Sequence, residues 1–402
     1  MNKFSEKEIE YLLTPKAIRS TTKKIYDLAL SGQTNFKLDL SKMEETCNLV
    51  MSVIEENYPD LDIPFHSRWG HFKVGEVDRE SEFNKKISKL DKIEQARCKL
   101  DLVITSVLLD AGAGKDWSYK EHDQTFNRSE GLAVASYHMF VNGNFSKNKS
   151  LAATDEGLLS FSEQDLIDGF QVSDDNPLVG VSGRVNLLNK LGESVYSNNE
   201  LFPKSRPGSI IDYLINKHGN QFEVQDILNA VLIGLGPIWP GRIIANDVNL
   251  GDVWHYSPLG ELGPNSVICF HKLSQWLTYS LVTPMIEAGL EITGAEKLTG
   301  LAEYRNGGLF FDMEVITFRD DSNLNISHKP SSDLIIEWRA LTVQLLDQMG
   351  ELVQKKLNKT ANEFPLAKVL EGGTWWAGRK IASMKREDNS TPIKLDSDGT
   401  VF

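Results

Sequence analysis

Helix start and stop signals recur along nearly the whole of this 402-residue chain, and that succession leaves little room for any architecture but a mainly α-helical one. Ser5 and Glu8 have capping-box spacing before IEYLL. Thr14 followed by Pro15 starts a second helix that Gly32 can stop. Ser41 with Glu44 opens a third, which carries Met43, Cys47, Val50 and Ile54 on one face and ends at Pro59. Helical patterns follow over 80–110, 129–142, 162–170, 177–191 (stopped by Gly192), 207–218, 222–235 and 265–288, with one or two short helices over 294–312. After Pro330, the residues Leu334, Trp338, Leu341, Leu345, Met349 and Leu352 form an apolar stripe. Segment 61–78 has a proline, two glycines and no period, and reads as a loop. Strand signals are few; Val74 to Val77 and Glu314 to Phe318 are candidates for a small β ribbon. No repeat or low-complexity linker breaks the pattern. The expected organisation is a single all-α domain over 1–384, including the N-terminal helices and a Trp-rich C-terminal extension, followed by a polar tail over 385–402.

Charge narrows the partners. The 43 Lys+Arg against 56 Asp+Glu give a net charge of −13, which argues against a protein that coats nucleic acid, because phosphate neutralisation needs a basic surface. Cys47, Cys98 and Cys269 are odd in number and far apart, and read as reduced core thiols rather than a disulfide or zinc framework. The charged start MNKFSEKEIEYLL is unlike a signal peptide and no apolar run approaches a membrane span, so a cytoplasmic protein without membrane contact is expected.

Several motifs fail on inspection. AGAGK at 111–115 lacks the P-loop glycine, since Leu109 stands there, and Asp116 replaces the Ser or Thr after the lysine. His66 and His71 lack further ligands at metal-site spacing, so no metal and no cofactor is expected. Glu121, His122 and Asp123 lie in a row and cannot share a helix face. LIGLGPIWPG at 232–241 resembles the hairpin of helix-hairpin-helix DNA binders, a short pattern that a plain helix-breaking turn also satisfies.

One constellation remains. Lys272 lies in the apolar segment FHKLSQWLTYSL, and Glu303, Tyr304 and Arg305 interrupt the apolar, glycine-marked LTGLAEYRNGGLFFDM. A buried carboxylate needs a partner, and Lys272 or Arg305 can supply it. Such a pair is either a structural bridge between two helices or the core of a site. Asp110 and Trp117 flank the glycine-rich loop, where backbone can approach a ligand or simply cap a helix. Arg68 and Trp69 either line a pocket or pin their loop to the domain. Trp375 and Trp376 either close a pocket or dock the C-terminal extension.

Most of the chain resembles the uracil-catabolism protein 4 family, which is linked to uracil degradation in fungi and bacteria. The strings that carry the likeness are LLTPKAIR at 12–19, NYPDLDIPFHSRW at 57–69, DAGAGKDW at 110–117, RSEGLAVAS at 128–136, RPGSIIDYL at 206–214, HYSPLG at 255–260, LTGLAEYR at 298–305 and GGTWWAGRKIA at 372–382. The label names a pathway and not a reaction. A more distant likeness supplies a reaction. Lys272–Gln275 followed by Ala302–Arg305 is similar to a pattern of the queuosine salvage proteins, all-α N-glycosylases of a helix-hairpin-helix type that release a free base from a nucleotide. Their Pro-Leu … Arg … Leu … Gly helix resembles Pro177 … Arg184 … Leu191-Gly192, and their Glu-x-Arg helix resembles Glu337-Trp338-Arg339. The shared order spans roughly residues 100–350.

This resemblance implies a catalytic Glu303, in place of an aspartate, with Lys272 beside it. Arg184 and Arg339 lie in the matching motifs and are substrate-binding candidates. A phosphate needs Arg or Lys donors, for which Arg305, Arg206, Arg242 and Arg379 are further candidates. Tyr304 is a substrate-binding candidate, and it or a bound water can deliver the proton to the leaving group. The expected partner is a small-molecule nucleoside or nucleotide and not nucleic acid. The implied activity is hydrolysis of an N-ribosidic bond in a pyrimidine-derived nucleotide, with ribosylurea or its phosphate favoured. The alternatives are a non-catalytic binder or regulator of pyrimidine nucleotides, and a glycosylase of the DNA-repair type.

Overall fold

A computed structural model describes residues 4–110, 112–239 and 242–396. It is mainly helical, with short strands only. Ala111 of the glycine-rich loop, Pro240 and Gly241 of the hairpin-like turn, and the end of the polar tail lie outside the described residues. The chain forms two compact units. One comprises Met1–His66, Gly241–Gln275 and Gly294–Phe402, the other Ser67–Pro240 and Trp276–Thr293.

In the first unit the expected caps are present. Ser5 and Glu8 make a reciprocal capping box on the Glu6–Leu12 helix, and Thr14 caps Pro15–Leu30 with Pro15 at its first position. The third helix, Met43–Asn57, departs from expectation at its start. Asp39 caps a short 3₁₀ turn at Leu40–Lys42 that leads into it, so Ser41 lies inside the turn rather than at the cap. The apolar stripe after Pro330 becomes the 25-residue helix Asp333–Leu357. Its Ile336, Ala340 and Val343 share a core with Ile18 and Ile25 of the second helix and with Trp254 and Phe270. The helices Tyr304–Asp312 and Trp375–Lys385 pack on each other where Gly378 meets the main chain of Arg305; a Cβ at Gly378 would come within 2.3 Å of the Arg305 carbonyl oxygen. The polar segment beyond Lys385 is docked rather than trailing. Arg386 forms a bidentate pair with Asp312 at 2.7 and 2.6 Å, and Ile393 is fully buried.

Strands of two to four residues form five two-stranded pairings among the described residues. Ile316–Phe318, inside the expected 314–318 strand, pairs antiparallel with Phe36–Leu38. Val74 to Val77 is not its partner and is not a strand. The carbonyls of Phe72, Val74 and Val77 all accept from one guanidinium nitrogen of buried Arg79, which curls that segment into turns. The expected helix over 265–288 begins only at Lys272, because Val267–Cys269 is drawn off to pair with Val253–His255.

The second unit contains the helices Arg79–Ile87, Lys92–Leu108, Arg128–Val141, Val181–Ser197, Ile210–His218 and Val224–Leu235, together with the larger part of Lys272–Glu287. Segment 61–78 holds one helical turn, Arg68–His71. Gly192 does not stop its helix, which runs on to Ser197. It is a contact point, where a Cβ would press on the Leu159 nitrogen at 2.9 Å, so the Asp155–Leu159 helix can approach closely. The Glu121-His122-Asp123 row lies at a hairpin, with Glu121 paired to Gln124 and His122 at φ 52. Among the described residues, no helix is long and apolar enough to cross a membrane, and all three cysteines are free and buried.

Candidate active site

In the first unit, Glu303 is the N-cap of the Tyr304–Asp312 helix. One carboxylate oxygen accepts the Arg305 amide at 2.7 Å and the other the Asn306 amide at 2.5 Å. A cap alone is a weak reason for glutamate here, since Ser, Thr, Asp and Asn serve better. This carboxylate is also buried, at 7 % exposure, where an ionised group is costly. Burial pushes its pKa up, against the two amides and the nearby Lys272 ammonium, which favour the anion. Arg305, expected as a charge partner, supports Glu303 through its backbone amide. Its guanidinium instead donates to the Asn389 carbonyl at 2.9 Å and stands 5.1 Å from the centre of the Tyr304 ring.

Lys272 opens its helix half-buried, and its amide donates to Asp252 at 3.1 Å. Asp252 also accepts both terminal nitrogens of Arg339, at 2.8 and 2.7 Å, and the Trp254 indole at 2.6 Å. The guanidinium of Arg339 holds the Asp252 carboxyl far below the ordinary range in spite of its burial. Arg339 lies 4.0 Å above the Phe270 ring and reaches the Ala302 carbonyl, one residue before Glu303. Gln275 completes the frame. Its amide group donates to the Thr299 hydroxyl at 2.9 Å and accepts from the Thr299 amide at 3.0 Å. The first turn of the Lys272 helix is thereby tied to both ends of the loop that delivers Glu303. Arg339 and Gln275 thus act as positioning residues for Lys272 and Glu303.

Asp252 and Glu371 were not singled out by sequence reasoning, and His66 was weighed there only as a metal ligand, with His71. His66 lies in the quoted string NYPDLDIPFHSRW, and Glu371 immediately precedes GGTWWAGRKIA. His66 Nδ1 stands 2.6 Å from the Glu371 carboxylate. Trp375 is half-buried and Trp376 exposed, with the Arg379 guanidinium 4.9 and 5.2 Å from their rings.

The remaining candidates lie in the second unit. Arg68 is fully buried, with Ser106 Oγ at 2.7 Å, Asp110 at 3.0 Å and the Ser129 carbonyl at 3.3 Å. Trp69 donates its indole N–H to the Ser280 carbonyl at 2.8 Å. Arg184 is spent on main-chain carbonyls of Leu109, Gly112 and Val179, and burial lowers its pKa to about 10. Trp117 is a core residue, 1 % exposed, bonded to the Phe170 carbonyl at 3.0 Å and stacked on its ring. Arg206 serves the buried Asp101. Asp110 and Arg68 thus pair, and Arg184 fixes the backbone around the glycine-rich loop. Among the described residues, no group of three or more ligating side chains is placed to hold a metal ion.

The family model described as "Protein of unknown function (DUF1688)" matches residues 11–402. The chain is 38 % identical over 436 residues to Uracil catabolism protein 4 of Lachancea kluyveri, covering 98 % of this chain and 99 % of that protein. It is 39 % identical over 413 residues to Protein urg3 of Schizosaccharomyces pombe, covering 99 % and 100 %. These matches bear out the likeness read from the quoted strings. The chain belongs to the DUF1688 family.

Proposed function

We propose that the protein acts in uracil catabolism as a hydrolase of an N-ribosidic bond, with ribosylurea or its phosphate as the favoured substrate. Near full-length similarity to Uracil catabolism protein 4 supports the pathway. The observation that carries the reaction is Glu303, a buried carboxylate with both oxygens fixed by amides and the Lys272 charge acting on it. N-riboside hydrolysis develops positive charge on the sugar. A carboxylate fixed beside C1′ stabilises that charge without reorganising. Two hydrogen bonds from backbone amides leave acceptor capacity on its oxygens for a water molecule. A pKa raised by burial makes the anion a stronger base toward that water, and general-base action contributes about 10²–10⁴-fold in typical enzymes.

The test is incubation with a panel of ribosides and ribose 5-phosphates, including ribosylurea, read by mass spectrometry. Release of urea or of a free base together with the sugar is expected. Complete recovery of every ligand would contradict the hydrolase and leave a binder of such compounds.

A further inference from the structure

We propose that His66, oriented by Glu371, is the general acid that protonates the leaving nitrogen while Glu303 works on the sugar side; this rests on the hydrolase reading above. His66 is buried, at 6 % exposure, and its Nδ1 is engaged by Glu371 at 2.6 Å. A carboxylate at Nδ1 keeps the proton on that nitrogen and makes Nε2 the one that exchanges. Tyr58 adjoins Glu371, and burial together with that carboxylate pushes the Tyr58 pKa up to about 12. Glu371 belongs to a π-helical turn, Leu370–Thr374, a form that recurs at functional sites. The next residue, Trp375, sets its ring 5.7 Å from the imidazole. The turn itself contacts the helix capped by Glu303, and it continues into the helix whose Gly378 packs against Arg305 in the first turn of that capped helix. A positive charge on His66 favours the Glu303 anion. Among the described residues, His66 faces Glu371, which Tyr58 adjoins, and acts on Glu303, on which Lys272 also acts; Arg379 stands over the ring of the neighbouring Trp375.

The chemistry balances. His66 begins as the imidazolium and Glu303 as the carboxylate. As the C1′–N bond breaks, its electron pair passes to the urea nitrogen, which takes the Nε2 proton. The oxygen of water bonds to C1′ and one water proton goes to Glu303. Sugar and urea leave, and transfer of one proton from Glu303 back to His66 through solvent resets the pair. Urea is a poor leaving group and needs that proton; a nitrophenolate does not.

The experiment compares ribosylurea with 4-nitrophenyl riboside. With His66→Gln, ribosylurea hydrolysis is expected to fall about 10²–10⁴-fold, while release of nitrophenolate stays within a few-fold of wild type. Glu371→Gln is expected to give the same split at smaller size, and it decides the matter if His66→Gln does not fold. Glu303→Ser is expected to lose both reactions. Parallel loss of both substrates in the His66 and Glu371 variants, or loss of neither, overturns the acid role while the hydrolase stands. A wild-type protein that cleaves neither substrate overturns the hydrolase reading and this inference with it.

Discussion

At Glu303 one carboxylate serves a helix cap and, in the proposed reaction, the sugar cation. This dictates which substitutions are informative. Glu303→Gln is a poor probe, since its amide NH₂ would face a backbone N–H where an oxygen now accepts. Glu303→Ser keeps a good cap and removes the charge. We expect its hydrolysis rate to fall at least about 10²-fold, with a normal far-ultraviolet dichroism spectrum. Stability carries a second sign. A carboxyl whose pKa is raised on folding contributes stability that is fully present below its unfolded pKa and is lost as pH rises through the folded one. Denaturant titrations of wild type and Glu303→Ser should therefore diverge with pH, wild type losing ground from the ordinary carboxylate range upward. A constant difference would place Glu303 in an environment no different from water. Lys272 favours the anion, so Lys272→Met should push the Glu303 pKa higher still. The acid limb of the pH–rate profile should then move to higher pH, and an unmoved limb would remove Lys272 from the site.

At the scale of elements, the Asp252–Arg339 pair fixes the start of the Lys272 helix and the loop before Glu303. Arg339 is 1 % exposed, so Arg339→Ala leaves Asp252 buried and unpaired. A loss of about 3–5 kcal/mol in denaturant unfolding is expected. A loss within 1 kcal/mol, the size typical of surface pairs, would contradict the positioning role. Gly378→Val drives a side chain into the Arg305 carbonyl, and overpacking of this kind costs about 1–3 kcal/mol. The caps at Ser5 and Thr14 were legible in the sequence because cap and helix are neighbours in the chain. The strand Phe36–Leu38 was not, because three residues carry little period and its partner lies near 317. Glu303 and Lys272 stood out as charges in apolar runs. Arg184 did not reveal that it clamps carbonyls, because an arginine bound to backbone leaves no mark in side-chain pattern. Asp252 and Glu371 were hidden for the related reason that their partners lie far away in sequence.

Over the whole molecule, the candidates named from sequence divide between two units, with Glu303, Lys272, Tyr304, Arg305 and Arg339 in one and Asp110, Trp117, Arg68, Trp69 and Arg184 in the other. The net charge of −13 belongs to the chain as a whole and disfavours a repair-type glycosylase, which needs a basic surface along DNA. The protein should pass through immobilised duplex DNA at low salt; retention released by added salt would revive the DNA reading. The central claim is cleavage between C1′ and nitrogen, with Glu303 activating the water. The most direct measurement is turnover of ribosylurea in ¹⁸O-labelled water, with the sugar trapped at once by borohydride. One labelled oxygen at C1 of the sugar and none in urea is the predicted result, lost in Glu303→Ser. Label in the carbonyl fragment, or full turnover by the variant, would contradict the account.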